Sequence, residues 1–269
     1  MIKLEDGCVV TETRTGFPDP EMLMFAAGAG IPYSPRQDRS LARVMEDEKV
    51  SRVVVWEREG PILYGGEEKF FYHPSMGKNR VSRLRRGESD PLVQALDLAP
   101  GLEVLDCTLG LGADALVISY VVGSAGRVMG TESSPLVAAI VRWGIKKYVK
   151  GPVWLQEALD RIEIHTGDHF EILRSQPSQS FDIVYFDPMF RNPIAVCSGI
   201  SPLRPLANPE PLMVEAVQEA RRVARRRVVL KERYQSQEFQ RLGFEQVQMS
   251  KKSEIAYGIM DIEPQIQEG

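Results

Sequence analysis

Up to about residue 88 the apolar positions come in short, broken runs. Beyond Ser89 they alternate between a strand-like period of two and a helix-like period near 3.6. In the early part, residues 8–13 read as a short strand. Asp19-Pro20-Glu21 opens a helix to Ala29, with proline in the first turn, where its missing N–H has no helical partner to lose. A second helix is predicted over 39–48, and residues 51–56 and 60–64 read as strands joined by Glu-Arg-Glu-Gly. This gives an N-terminal α+β segment, residues 1–88.

Residues 89–269 read as one domain. Ser89-Asp90-Pro91 opens a helix that Pro100-Gly101 ends, and strands then alternate with helices. Strands are predicted over 102–107, 126–131, 161–165, 181–186 and 227–231, and helices over 113–122, 134–149, 168–175 and 210–225. Residues 243–249 and 255–262 read as a closing antiparallel pair. The alternation implies an α/β fold with a mostly parallel sheet covered on both faces. Ligands of such sheets bind beyond the carboxyl ends of the strands, where the strand order reverses.

Composition narrows the class only a little. Of 269 residues, 43% are hydrophobic and 26% charged, as in ordinary globular chains. No apolar run approaches the roughly 20 residues that span a bilayer, and the first residues lack a signal-peptide core. A cytoplasmic location is the expectation. Three widely spaced cysteines, Cys8, Cys107 and Cys197, indicate neither a disulfide framework nor a zinc site. Three histidines, His73, His165 and His169, lack metal-ligand spacing, and His165 reads as a packed strand residue. The net charge of −4 argues mildly against a large nucleic-acid footprint. Two basic clusters argue the other way: Lys78, Arg80, Arg83, Arg85 and Arg86, and then Arg221, Arg222, Arg225, Arg226, Arg227, Lys231 and Arg233. Either could be a solvated face; together they favour a phosphate-bearing partner.

The chemistry gathers at strand ends. Asp106-Cys-Thr108-Leu-Gly110-Leu-Gly112 leaves a strand and enters a helix, and its glycines let the backbone turn tightly and approach a ligand. Gly110 to Ala115 also fits the Gly-x-Gly-x-x-Ala dinucleotide pattern, which leaves an NAD(P)-linked oxidoreductase open. A carboxylate at Asp106 suits the cationic amino-acid end of S-adenosylmethionine and would repel a pyrophosphate. Glu132 ends the next strand, where an acid accepts the ribose hydroxyls; Ser133 beside it is a ribose contact or a helix cap. Asp168 ends the third strand, placed for the adenine amino group, with His169 beside the same pocket.

The fourth strand runs into Asp187-Pro188-Met189-Phe190. The lone pair of an exocyclic amine is delocalised into its ring and must be turned toward the methyl carbon. The Asp187 carboxylate and the Pro188 carbonyl are suited to accept the two amine N–H bonds. Phe190 is suited to stack on the base, a contact worth about 1–3 kcal/mol. Asp187, Pro188 and Phe190 are therefore the candidate catalytic residues of an S-adenosylmethionine-dependent N-methyltransferase that needs no metal.

Several segments together resemble the small-subunit ribosomal RNA guanine-N2 methyltransferase J family. They are Gly77-Lys78-Asn-Arg80, Gly87-Glu88, Leu92 to Leu96, Asp106 to Ala115, Glu132-Ser-Ser-Pro135, Asp187 to Phe190 and Arg227 to Lys231. The resemblance runs from about residue 70 to the end. It implies a Rossmann-like class I methyltransferase fold with a seven-stranded sheet. It implies cofactor contacts at Asp114, Glu132, Ser133, Asp168 and Asp187, beside Asp106, Thr108, Gly110, Gly112 and His169 read from the turns. It also implies that Lys78, Arg80, Arg83 and Lys231 lie near the RNA, and that the substrate is small-subunit rRNA or a ribosomal particle. Ala113 stands where the family usually has arginine. Other acceptors (tRNA, DNA adenine, a small amine) and a non-catalytic RNA-binding role stay open.

Overall fold

The structure, a computed structural model, describes residues 7–65, 69–148, 151–188, 210–249 and 254–263. The chain divides into two compact units. The first takes in the chain up to His73 together with Ser134–Tyr148, and the second takes in most of the remainder from Pro74 onward.

In the first unit, strands β1 (Cys8–Glu12), β2 (Arg52–Glu57) and β3 (Gly60–Tyr64) form a sheet in that order, β1 parallel and β3 antiparallel to β2. Helix α1 (Pro20–Ala29) starts where Asp19 Oδ1 accepts the Met22 N–H at 2.7 Å, and it ends on Gly30 in the left-handed region. Helix α2 (Leu41–Glu48) lays Val44 against Val9, Val53 and Val55 as a small valine core.

The boundary of this unit differs from the expected one near residue 88. Helix α3 (Ser75–Leu84) already belongs to the second unit. Conversely, helix α6 (Pro135–Lys147), expected as a covering helix of the long sheet, groups with the first. There Trp143 meets Trp56 edge-on at 5.3 Å, Lys147 pairs with Glu21 at 2.7 Å, and Gly144 lies against Tyr72. No periodicity along the chain carries that information, because the aromatic and ionic partners lie far away in sequence.

The second unit holds the expected seven-stranded sheet. Its strands are β4 (Glu103–Asp106), β5 (Arg127–Glu132), β6 (Ile162–Thr166), β7 (Phe181–Phe186), β8 (Ala224–Arg233), β9 (Gln246–Met249) and β10 (Ile255–Asp261). Their order is β6-β5-β4-β7-β8-β10-β9, parallel from β6 through β8, with β10 antiparallel to both β8 and β9. The order reverses between β4 and β7, so the ends of those two strands open the crevice where a ligand of such a sheet belongs. The inner strands are continuous apolar runs buried on both faces, such as Val228, Val229 and Leu230. Edge strand β6 leaves Glu163, His165 and Thr166 exposed, so His165 is not the packed residue expected.

Helices α4 (Pro91–Leu96), α5 (Ala113–Val122), α7 (Val153–Asp160), α8 (His169–Ser175), α9 (Val214–Val223) and α10 (Glu238–Arg241) complete the second unit. Helices α3, α7 and α10 had no counterpart in the sequence pattern. In α3 only Gly77 and Val81 are buried, so it shows almost no apolar stripe. Helix α9 is shorter and β8 longer than expected. Arg225, read as helical, lies in the strand, where its guanidinium donates to the carbonyls of Gln179 and Ser180.

Candidate active site at the strand ends

The turn after β4 is held from inside. The Thr108 N–H donates to Asp106 Oδ1 at 3.0 Å, and the Leu109 N–H to the Thr131 carbonyl at 2.9 Å. Gly110 and Gly112 take φ of 50° and 70°, a region open to glycine at little cost. Gly112 caps α5 and so turns the chain directly into that helix. Asp106 itself is only 1% exposed. Burial, with Asp114 and Asp187 nearby, raises its carboxyl to about 7, against the pull of the Thr108 N–H. In this structure the carboxylate shapes the turn by accepting the Thr108 N–H.

The end of β7 is tied to the same turn. The Asp187 N–H donates to Thr108 Oγ1 at 2.6 Å. Phe186 is in register with Leu230, so Asp187 and Lys231 follow side by side at the carboxyl ends of parallel strands. Lys231 Nζ donates to Asp187 Oδ2 at 2.6 Å and to Asp114 Oδ2 at 2.9 Å. The Tyr185 hydroxyl donates to Asp114 Oδ2 at 2.7 Å, and Arg80 pairs with Asp114 Oδ1. Arg80 also grips Asp90 through both oxygens at 2.8 Å, while Asp90 Oδ1 caps α4 by accepting the Leu92 N–H.

These groups set one another's charge. Burial pushes Asp114 up, but Lys231 and Arg80 outweigh it and hold the carboxyl well below the usual range. Burial pushes Lys231 down, but Asp114 and Asp187 raise it above its ordinary value. Asp187 is raised by burial to about 6; Lys231 lowers it while Asp114 opposes. Burial and the neighbouring acids place the Tyr185 hydroxyl well above its ordinary value, so it stays a donor.

Three residues expected at ligands are held by one another in this structure. Asp114, taken as a cofactor contact, has both oxygens engaged by Arg80, Tyr185 and Lys231. Arg80 and Lys231, taken as RNA contacts, point inward and neutralise carboxylates. Tyr185 was not singled out in the sequence, and Asp90 only as part of a helix start. The one signal for them was the spacing that puts an acid, Asp90, at a helix start and a tyrosine, Tyr185, inside a buried strand.

Glu132 and Ser133, at the end of β5, are half-buried. Glu132 Oε2 accepts the Gly110 N–H at 3.2 Å, joining the β5 end to the glycine turn. Asp168 caps α8 by accepting the Phe170 N–H at 2.9 Å. His169 stands edge-on to Phe186 at 5.8 Å, its buried Nε2 lacks a partner among the described residues, and burial lowers its pKa, so it is neutral. Asp106, Thr108, Glu132, Asp168 and Asp187 thus all stand at carboxyl ends of adjacent strands. Pro188 follows at the β7 end, half-buried. Phe190 lies outside the described residues.

The remaining basic residues are dispersed. Lys78 is half-buried on α3, and Arg83 is exposed and paired with Glu88 at 2.8 Å. In the second cluster, Arg225, Arg226 and Arg227 sit at the amino end of β8, the far end of the sheet from Asp187, and pair with Glu103, Asp182, Asp97 and Asp261. Among the described residues no group of three or more His, Cys, Asp or Glu side chains is arranged to hold a metal ion, and no helix is long and apolar enough to cross a membrane.

Residues 71–255 match the family model described as "Putative SAM-dependent methyltransferase". The Bacillus subtilis protein YpiP is 38% identical over 234 residues, covering 87% of this chain and 91% of that protein. The ribosomal RNA small subunit methyltransferase J of Cronobacter sakazakii is 30% identical over 231 residues, covering 83% of this chain and 86% of that protein. A SAM-dependent methyltransferase of known structure from Neisseria gonorrhoeae shares the fold, with a TM-score of 0.63 at 19% identity over 94% of this chain and 95% of that one.

Proposed function

The chain belongs to the family of S-adenosylmethionine-dependent methyltransferases, and we propose that it methylates the exocyclic N2 of a guanine in small-subunit ribosomal RNA, in the cytoplasm. The relatives named for that RNA support the acceptor class. The observation that carries the reading is the Asp187 carboxylate. It is fixed at the reversal point of the sheet, through its backbone on Thr108 and its side chain on Lys231.

The residues fit the cofactor of this family. The glycine turn after β4 offers open backbone for an amino-acid end. Glu132 is partly accessible for a ribose diol, with Ser133 beside it. Asp168 offers an acceptor for an adenine edge, with the neutral ring of His169 beside it. S-adenosylmethionine, when bound, supplies a methyl carbon on a sulfonium sulfur that leaves as a neutral thioether.

What the chain adds is orientation and a place for a proton. The Asp187 carboxylate and the Pro188 carbonyl accept the two N–H bonds of the acceptor amine, which turns its lone pair out of the ring plane. Such positioning is worth several kcal/mol of barrier, up to about 7–11 for ideal alignment. The alkylated nitrogen then carries one proton too many, and Asp187, raised to about 6, is a base matched to accept it near neutral pH. Lys78 and Arg83 are the remaining candidates for RNA phosphate contacts.

The test is transfer of radiolabelled methyl from S-adenosylmethionine to small ribosomal subunits, free rRNA, tRNA and DNA from cells lacking the protein, with Asp187→Ala alongside. N2-methylguanine in small-subunit RNA is the expected product. Asp187→Ala is expected to abolish transfer while cofactor affinity stays within about tenfold, or 1.4 kcal/mol. Label confined to tRNA, DNA or a small amine would replace the acceptor, and full turnover by Asp187→Ala would remove Asp187 from the chemistry.

A further inference from the structure

We propose that Lys231 is a positioning residue of the transfer reaction: clamped between Asp114 and Asp187, its ammonium keeps the Asp187 carboxylate charged and oriented toward the acceptor amine. The inference rests on the role given above to Asp187.

The geometry is a chain of alternating charge. Asp90 at the start of α4 holds Arg80 of α3, Arg80 holds Asp114 of α5, Asp114 holds Lys231 of β8, and Lys231 holds Asp187 at the end of β7. Each member is largely shielded from water, and Asp90 and Asp114 are buried. Asp187 is thereby gripped at two points on different strands, its N–H on β4's turn and its Oδ2 on β8. Lysine presents three N–H bonds and suits a site where two acids converge on one nitrogen.

The clamp has an electrostatic reason. Among the described residues, the groups that face Asp187 are Asp106 on β4, Asp114 on α5, Tyr185 on its own strand, Lys231 on β8, Tyr257 on β10 and, through Asp114, Arg80 on α3. Of these, Lys231 is the cation in direct contact with it. Without that ammonium, burial and two neighbouring acids would act unopposed, and the carboxyl would hold its proton at neutral pH. A protonated Asp187 accepts N–H bonds poorly and cannot take the proton released by the alkylated amine.

Five elements supply this chain of charge, and a glycine lets α3 join it. A β-carbon on Gly77 would come 2.8 Å from the Ala113 carbonyl oxygen and 2.9 Å from Leu116 Cδ2. The bare glycine lets α3 press onto the first turn of α5, which is what brings Arg80 to Asp114.

The test follows the Asp187 carboxyl directly in the full-length protein, by carbon-13 NMR of labelled aspartates titrated from about pH 4 to about pH 9, with Asp187→Asn to assign the signal. Lys231→Met is expected to move the midpoint up by at least about one unit, a tenfold rise in proton affinity. Asp114→Asn removes a neighbouring acid and is expected to move it down. Lys231→Arg is expected to keep it near the wild-type value. The acidic limb of kcat on small ribosomal subunits should follow the midpoint in each variant, while the S-adenosylmethionine Kd changes by less than about threefold.

An unmoved midpoint in folded Lys231→Met overturns the proposal, as does a midpoint that moves while the acidic limb of kcat stays in place. Should Lys231→Met fail to fold, the other two variants decide: a downward shift in Asp114→Asn beside an unmoved midpoint in Lys231→Arg is expected, and an upward shift in Asp114→Asn or a displaced midpoint in Lys231→Arg overturns it. The titration is read without any acceptor. A chain that methylates something other than rRNA therefore fails the functional reading and still answers this question.

Discussion

Gly77 and Ala113 approach so closely that α3 and α5 leave no room for a β-carbon between them. The contact sets the distance over which Arg80 reaches Asp114, and with it the charge chain that ends at Asp187. Gly77→Ala is expected to destabilise the protein by about 1–3 kcal/mol, as overpacking of a tight interface does. It should also lower transfer more than cofactor affinity. Denaturant melts and calorimetry on the same preparation check this; an unchanged midpoint of unfolding would mean that α3 shifts without consequence.

Arg80 and Lys78 lie two residues apart on α3 and are expected to behave oppositely. Arg80→Ala leaves Asp90 and Asp114 without their guanidinium, and breaking a largely buried pair costs about 3–5 kcal/mol. Lys78→Glu should leave stability within about 0.5 kcal/mol. It should weaken RNA binding and reduce the salt slope by about one. Chemical melts and filter binding across a salt series separate the two; equal loss of stability in both would reverse the assignment.

Glu132 and Asp168 differ in the same manner. Glu132→Ala is expected to weaken S-adenosylmethionine by about tenfold, 1.4 kcal/mol, with little change in folding. Asp168→Ala should weaken the cofactor and also remove the cap of α8, for about 1 kcal/mol of stability. Calorimetric titration of each variant reads both effects, and an unaltered Kd for Glu132→Ala would take the ribose contact away from it.

Asp106 predicts a pH dependence of stability. Its carboxyl sits at about 7 in the folded chain, against about 3.9 when unfolded. Between those values the folded state binds more protons, so this group stabilises at low pH and loses that contribution as pH rises to about 7. Asp106→Asn removes the slope. It should be near neutral at about pH 4 and stabilise by on the order of 1–3 kcal/mol at about pH 8. Urea melts at both pH values test it; a gain at acid pH instead would reverse the sign.

Much of this architecture was legible in the chain. Most strands from 102 to 231, β6 excepted, are runs of β-branched and apolar residues long enough to identify by themselves, and the caps at Asp19, Asp90 and Asp168 announce their helices. The acids at successive strand ends, with the glycine turn, located one end of the sheet. Helix α3 stayed hidden because its stabilising contact is an absent side chain at Gly77, which no apolar period records. Helix α6 was found as a helix, yet its partners Trp56, Tyr72 and Glu21 lie far back in the chain.

The sequence by itself determined most element types, the mostly parallel sheet and the residues gathered at its strand ends, because those depend on local period, turns and caps. Only the tertiary structure decided what the charges do. Arg80 and Lys231 looked like phosphate ligands, since a basic residue in a motif carries no mark of its partner. Folding brings Asp114 and Asp187 within hydrogen-bond reach of Lys231. Once desolvated, an ammonium and its two carboxylates fix one another's ionisation, a property of their distances and surroundings that no single position in the chain encodes.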